Sequence, residues 1–320
     1  MAPNGYWGER TATIDWCEEN YEVNYYIAEF WNTISNVSMI LPPIMGAVFA
    51  WLDGLEAKIF WSHISLLCVG LGSWCFHMTL LYSGQLLDEL PMIWGTSTLI
   101  YAMYQVNSPP GHTHYKLIIG LFLYCVAVTA IYIFNKNPVF HEAAYGLMVF
   151  TLIYLSRRIM RVTNGSKSWL CFASLVIYAT GFVLWNLDHM FCDKVMSVRN
   201  SVPHGLRPVT QLHAWWHLFA GLGTHTSIVF FTHSRYRCLK RDLHLKMLGG
   251  WFPFVRASSH TKGVIRSNGA QHENGVQQMN GDQYSNGVKH DNGLQNSNGV
   301  TPNSNPGTSY TRHGTAYSTA

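Results

Sequence analysis

The sequence predicts an all-α membrane protein: a seven-transmembrane helix bundle followed by a disordered C-terminal tail. Three observations carry that prediction. Charged residues make up 12% of the chain against 48% hydrophobic ones, about half the charge of an average soluble domain. Seven segments come close to the ~20 mostly apolar residues that cross a bilayer as a helix. From Ala257 onward the text turns to Asn, Gly, Ser, Gln and His, which cannot bury enough apolar surface to offset chain entropy.

Residues 1–28 form a polar N-terminal segment. They carry Asp15, Glu18, Glu19 and Glu22 without a continuous apolar stretch, so they do not read as a signal peptide, and the first span must act as its own insertion signal. The spans are expected at 29–51, 59–81, 86–104, 115–134, 138–156, 168–187 and 211–232. They make a body at 29–252, with the tail at 253–320. Eleven Lys and Arg residues between Lys58 and Lys246 fall on the side of the C-terminus, against five (Arg10, Lys136, Lys194, Arg199 and Arg207) on the side of the N-terminus. That bias predicts a cytosolic C-terminus and an N-terminus facing a lumen or the exterior. Of seven cysteines, only Cys17 and Cys192 fall in the non-cytosolic flanks. A disulfide between them would persist there; two free thiols are the alternative.

Ionisable residues inside spans are costly and mark function by default. Glu29 opens span one, Ser73 and His77 lie near the end of span two, and Asp88 and Glu89 open span three. Asp188 closes span six, and His213 and His217 open span seven. Odd spans begin and even spans end on the non-cytosolic side, so all of these share one depth. Histidines at i and i+4 project from one helical face and suit a single metal ion. His77 would add a third nitrogen, which leaves an open coordination place, as in catalytic zinc sites. Histidines hydrogen-bonded between helices are the structural alternative. A zinc ion there would lower the pKa of water, Asp88 would accept a proton, and Ser73 would donate to an oxyanion. The competing roles are a helix N-cap for Asp88 and a back-bonded hydroxyl for Ser73. Ahead of span one, Asp15, Glu18 and Asn20, with Glu29 and main-chain carbonyls, offer hard oxygen ligands for Ca²⁺, or else a solvated acidic segment.

The motifs GYWG (5–8), IDWCEENY (14–21), IAEFWNTISN (27–36), GSWCFHMTL (72–80), QLLDELPMIW (85–94), WNLDHMFC (185–192) and TQLHAWWH (210–217) resemble those of the alkaline ceramidase family over about residues 5–255. The resemblance implies a seven-transmembrane hydrolase that cleaves the amide of ceramides, phytoceramide and dihydroceramide among them, to a sphingoid base and a fatty acid. It implies zinc on His77, His213 and His217, with Ser73 and Asp88 assisting. It also implies calcium on Asp15, the Trp16 carbonyl, Glu18, Asn20 and Glu29, a lumenal bridge between Cys17 and Cys192, and residence in endoplasmic reticulum and Golgi membranes. The expected partner is a ceramide lipid within the membrane, and no nucleic acid.

The rival is an adiponectin-receptor-like seven-helix receptor with a structural zinc site. A proton-relaying transporter would show internal repeats, and none is found. Asp-Arg-Tyr ending a third span and Asn-Pro-x-x-Tyr ending a seventh are also absent, which argues against a G-protein-coupled receptor.

Overall fold

A computed structural model describes residues 5–258 of the chain. Long apolar runs with few breakers become helices at each of the seven predicted places. Span one is broken at Asn36 into α1 (Phe30–Ser35) and α2 (Val37–Leu52), and α2 carries Pro42 and Pro43, whose missing N–H groups weaken the ladder there. Helices α3 (Ala57–Thr79), α4 (Tyr82–Tyr104), α5 (Tyr115–Asn135), α6 (Pro138–Val162) and α7 (Ser168–Met190) follow. A short α8 (Cys192–Ser201) and a 3-10 turn then lead to α9 (Leu212–Cys238).

Among the described residues, five helical stretches are long and apolar enough to cross a membrane: Phe30–Leu52, Ala57–Thr79, Tyr115–Asn135, Pro138–Val162 and Ser168–Met190. Helices α4 and α9 fill the other two predicted positions and are just as long. They are less apolar because they carry polar and ionisable side chains: Gln85, Asp88 and Glu89 on α4, and His213, His217, His225, His233 and Arg235 on α9.

Helix α9 runs through the middle and packs on α1, α2, α3 and α7. Glycine permits the closest approach. A Cβ at Gly72 would lie 1.8 Å from the Leu87 carbonyl oxygen, so α3 and α4 touch main chain to main chain there. The apolar core includes Ile93, Met103, Ile228 and Phe230, all fully or almost fully buried. The left-handed residue Leu80 turns α3 into α4, and its carbonyl accepts from the N–H groups of Thr11 and Ala12 at 3.2 and 3.1 Å. This stitches the N-terminal segment across the end of the bundle.

The far end is closed by arginines. Arg235, buried on α9, grips Glu56 with two bonds of 2.6 Å and donates to the carbonyls of Gln105, Val106 and Ser108. Beyond α9 the chain forms an antiparallel hairpin, β1 (Leu243–Leu248) with β2 (Phe252–Ala257). Its Gly249–Gly250 turn is left-handed at both residues. Arg256 fastens it to Asp53 at 2.9 and 3.1 Å. The sequence places the start of the tail at 253, yet β2 (Phe252–Ala257) belongs to the folded body. Short strands beside a polar tail leave only a weak period-2 signal, and Pro253 argues against a strand. The rest of the tail lies outside the described residues.

Candidate metal centre

The local geometry begins with main-chain pairing. The N–H groups of Ala28 and Glu29 donate to the carbonyls of Met78 and His77 at 2.9 and 3.0 Å, which lays the entry to α1 along the last turn of α3. Glu29 Oε2 thereby meets His77 Nδ1 at 2.5 Å, with both side chains fully buried. A carboxylate accepts, so Nδ1 carries the proton and Nε2 is left with its lone pair. That Nε2 has no partner among the described residues.

His217 is held in the same manner. Its Nδ1 is 2.8 Å from Ser35 Oγ on α1, and Ser38 Oγ donates to its main-chain carbonyl at 3.0 Å. Its Nε2 faces inward, 3.4 Å from Ser73 Oγ. His213, one turn earlier on α9, stacks under the indole of Trp16 with ring centres 3.7 Å apart. Its Nδ1 is buried without a partner among the described residues. Each of the three rings can present one nitrogen such that all three lie within 4.8 Å of one another. Ring centres are 4.6 to 5.0 Å apart. Rings turned towards a common point, two with their outer nitrogens occupied, are the arrangement of ligating histidines with their supporting partners. The residues present therefore fit a transition-metal ion. Imidazole donors suit zinc, copper, iron or nickel, and three of them leave a coordination place for a reactant.

Ser73 lies one turn inside His77 on α3, between the Asp88 carboxylate, whose ionised form it favours across the α3–α4 contact, and His217 Nε2 at 3.4 Å. Glu89 faces the other way: Tyr132 donates to its carboxylate and its carbonyl meets His141 Nε2 at 2.9 Å. Asp188 accepts from the Cys17 N–H at 3.1 Å.

The acidic segment packs directly over the centre. Glu18 accepts from the N–H groups of Trp31 and Asn32 at 2.7 and 2.8 Å, capping α1 with both oxygens. Burial, then the charge of Glu29, raises its pKa to about 8. Asp15 is also raised, by burial above all, against the nearby Arg10; the two are 3.6 Å apart. Asn20 lies close enough to Asp15 to favour its ionised form, and Asn20 Oδ1 and Glu29 Oε1 are buried without partners among the described residues. Crowded carboxylates with spare oxygens fit a hard cation. Cys17 and Cys192 are joined as a disulfide, Cα atoms 5.4 Å apart, and Arg199 donates to the Cys17 carbonyl from α8.

All of the sequence-nominated residues thus converge at one end of the bundle. Ser35, the Trp16 ring and Arg199 were missed. Ser35 at the depth of the histidines was a usable signal; nothing in the text announces the Trp16 stack.

Residues 8–255 match the protein family described as Ceramidase. The chain belongs to the alkaline ceramidase family. It is 45% identical over 259 residues to alkaline ceramidase 3 of Mus musculus, covering 80% of this chain and 97% of that protein. To alkaline ceramidase YPC1 of Saccharomyces cerevisiae it is 32% identical, over 78% of this chain and 85% of the relative. The alkaline ceramidase of Arabidopsis thaliana is 30% identical, with 79% and 95% covered. The ceramidase match spans all three histidines, Ser73, Asp88, the acidic segment and most of the hairpin, and it stops where the Asn/Gly-rich text begins.

Proposed function

We propose that this chain is a zinc-dependent alkaline ceramidase that hydrolyses the amide of ceramides, including phytoceramide and dihydroceramide, to a sphingoid base and a fatty acid. The observation that carries the reading is the convergence of His77, His213 and His217 beside the Ser73–Asp88 pair, in a chain related to named ceramidases along most of its length. A zinc ion held by the three imidazoles supplies a Lewis acid for the amide carbonyl and lowers the pKa of water.

The chain's own groups do the rest. Asp88 accepts the proton of the attacking water and returns it to the departing amine. Ser73 donates to the oxygen on which negative charge develops. Glu29 and Ser35 fix the rings of His77 and His217, so that no orientation must be found during the reaction. Asp15, the Trp16 carbonyl, Glu18, Asn20 and Glu29 would hold calcium, whose charge would offset the repulsion among their carboxylates. The helices α4 and α9 join the five apolar stretches as spans. The seven-span body lies in endoplasmic reticulum and Golgi membranes with its N-terminus lumenal, where the disulfide persists, and its C-terminus cytosolic.

The test is made on the purified full chain: metal content, and release of sphingoid base from a panel of ceramides, before and after chelation. Product release should stop on metal removal and return with zinc, and His217→Ala should lose both zinc and turnover. Hydrolysis that survives in the metal-free protein would end this reading.

A further inference from the structure

A second pair of buried imidazoles lies towards the opposite end of the bundle. His63 precedes His77 by 14 residues on α3, about 21 Å at 1.5 Å per residue. His225 faces it from α9, with ring centres 5.7 Å apart. Exposure is 4% and 0%, and Nδ1 of each ring has no partner among the described residues. His225 Nε2 is 3.0 Å from the Pro253 carbonyl of the hairpin. A carbonyl only accepts, so the neutral ring carries its proton on Nε2 and keeps a lone pair on Nδ1.

The two rings line a small cavity whose other walls, Phe49, Ile59, Val229 and Phe254 among them, are apolar. Gly46 makes the room, since a Cβ there would sit 2.2 Å from the His63 ring. An unpaired buried polar group costs about 1–3 kcal/mol, so two such nitrogens in an apolar cavity call for an occupant. A buried water makes about 3 hydrogen bonds and would find two polar partners here. A metal ion is better matched. With metal–nitrogen bonds of about 2 Å, two imidazoles on opposite sides of one ion have ring centres roughly 6 Å apart. A ring whose outer nitrogen is tied to a carbonyl is oriented as ligating histidines are.

Charge selects the ion. Both ligands are neutral and the walls apolar, and solvation cost grows with the square of the charge, making a dication about four times as expensive as a monocation. Among metals that imidazole suits, copper has a stable monovalent form that accepts two ligands. We propose that His63 and His225 form a second metal site that takes one monovalent copper ion through Nδ1 of each ring, and that this ion fastens the β1–β2 hairpin to the bundle through Pro253.

The experiment uses the purified full chain under anaerobic, reducing conditions, with Cu(I) delivered from a competing chelator and Ag(I) as a redox-inert substitute. The wild type should bind one equivalent of Cu(I) with its zinc content unchanged, and His63→Gln and His225→Gln should each bind it at least tenfold more weakly while keeping that zinc. Ag(I) should raise the unfolding temperature of the wild type and of neither variant. X-ray absorption on the wild type, which needs no variant to fold, should find two nitrogen neighbours around the ion. No bound equivalent in the wild type, an equivalent retained in both variants, or sulfur neighbours from cysteines such as Cys68 and Cys238 would overturn the proposal.

Discussion

Glu29 and His77 meet at 2.5 Å in a place where neither is exposed, and that contact couples the two candidate metal sites through one carboxylate. Oε2 orients the imidazole, while Oε1 is buried with no partner among the described residues. Loss of a supporting partner typically costs 10–100-fold in metal affinity. Glu29→Ala is expected to lower zinc retention by that factor and also to raise the calcium concentration needed for activity; Glu29→Gln, which keeps an acceptor, should lie between. Metal analysis after dialysis against a weak chelator, run beside a calcium titration, checks both. Wild-type zinc retention in Glu29→Ala would mean that His77 is oriented by something else.

Ser73 and Asp88 should separate chemistry from binding. Asp88→Asn removes the proton acceptor and is expected to lower kcat by about 10²–10⁴, while Ser73→Ala should cost about 10²–10³. Both should retain zinc, because neither is one of the three imidazoles. A Ser73→Ala protein with full kcat would return the hydroxyl to a structural role.

The single depth shared by Ser73, His77, Asp88, His213 and His217 was legible because alternation of spans fixes depth without any tertiary information. What touches what was not. The Glu29–His77 bond depends on the main-chain pairing of residues 28–29 with 77–78, and the Trp16–His213 stack depends on where the N-terminal segment folds back. Neither follows from periodicity. The hairpin escaped for the opposite reason: its strands are 6 residues each, at the edge of a polar text that masks them. His63 and His225 were equally visible as letters. They are 162 positions apart by number, and only the packing of α3 against α9 makes them a pair.

Gly72 sets the distance between Ser73 and Asp88. A Cβ there overlaps the Leu87 carbonyl oxygen, which belongs to main chain and cannot swing aside. Gly72→Ala is expected to destabilise the protein by about 1–3 kcal/mol and to lower kcat by parting the serine from the carboxylate. Gly120→Ala, on α5 with nothing within 4 Å of its added Cβ, is the control and should be neutral or slightly stabilising. Thermal unfolding and steady-state kinetics on the two variants decide the matter, and equal behaviour would contradict the close contact.

The Cys17–Cys192 bridge closes a separation of 175 residues. Cross-links over loops that long remove much denatured-state entropy, and losing a native one typically costs about 2–5 kcal/mol. Cys17→Ser and Cys192→Ser should be destabilised within that range, and the double variant no more than either single. The bridge lies beside Glu18 and Arg199, so calcium response should weaken more than zinc retention. Strictly additive losses would argue against a bond between the two sulfurs.

The far end of the bundle should govern acid stability. Burial pushes the Glu56 carboxyl up, but the two bonds from Arg235 and the charge of Lys58 together outweigh it, and the net pKa is lowered from 4.5. A depressed folded value means that the stabilisation is fully present above pH 4.5 and fades as the pH falls through the lower, folded value, where the carboxyl protonates in the native state as well. Glu56→Gln should therefore lose stability at neutral pH, by about 3 kcal/mol because it leaves the buried Arg235 without its counter-charge. It should also show a shallower decline below pH 4.5 than the wild type. The wild-type and variant curves should converge in acid, since protonation makes the native carboxyl resemble the amide. Unfolding temperature followed from pH 7 to pH 3 measures this directly. Curves that stay parallel through that window would show that the Arg235–Glu56 pair carries no proton-linked stability.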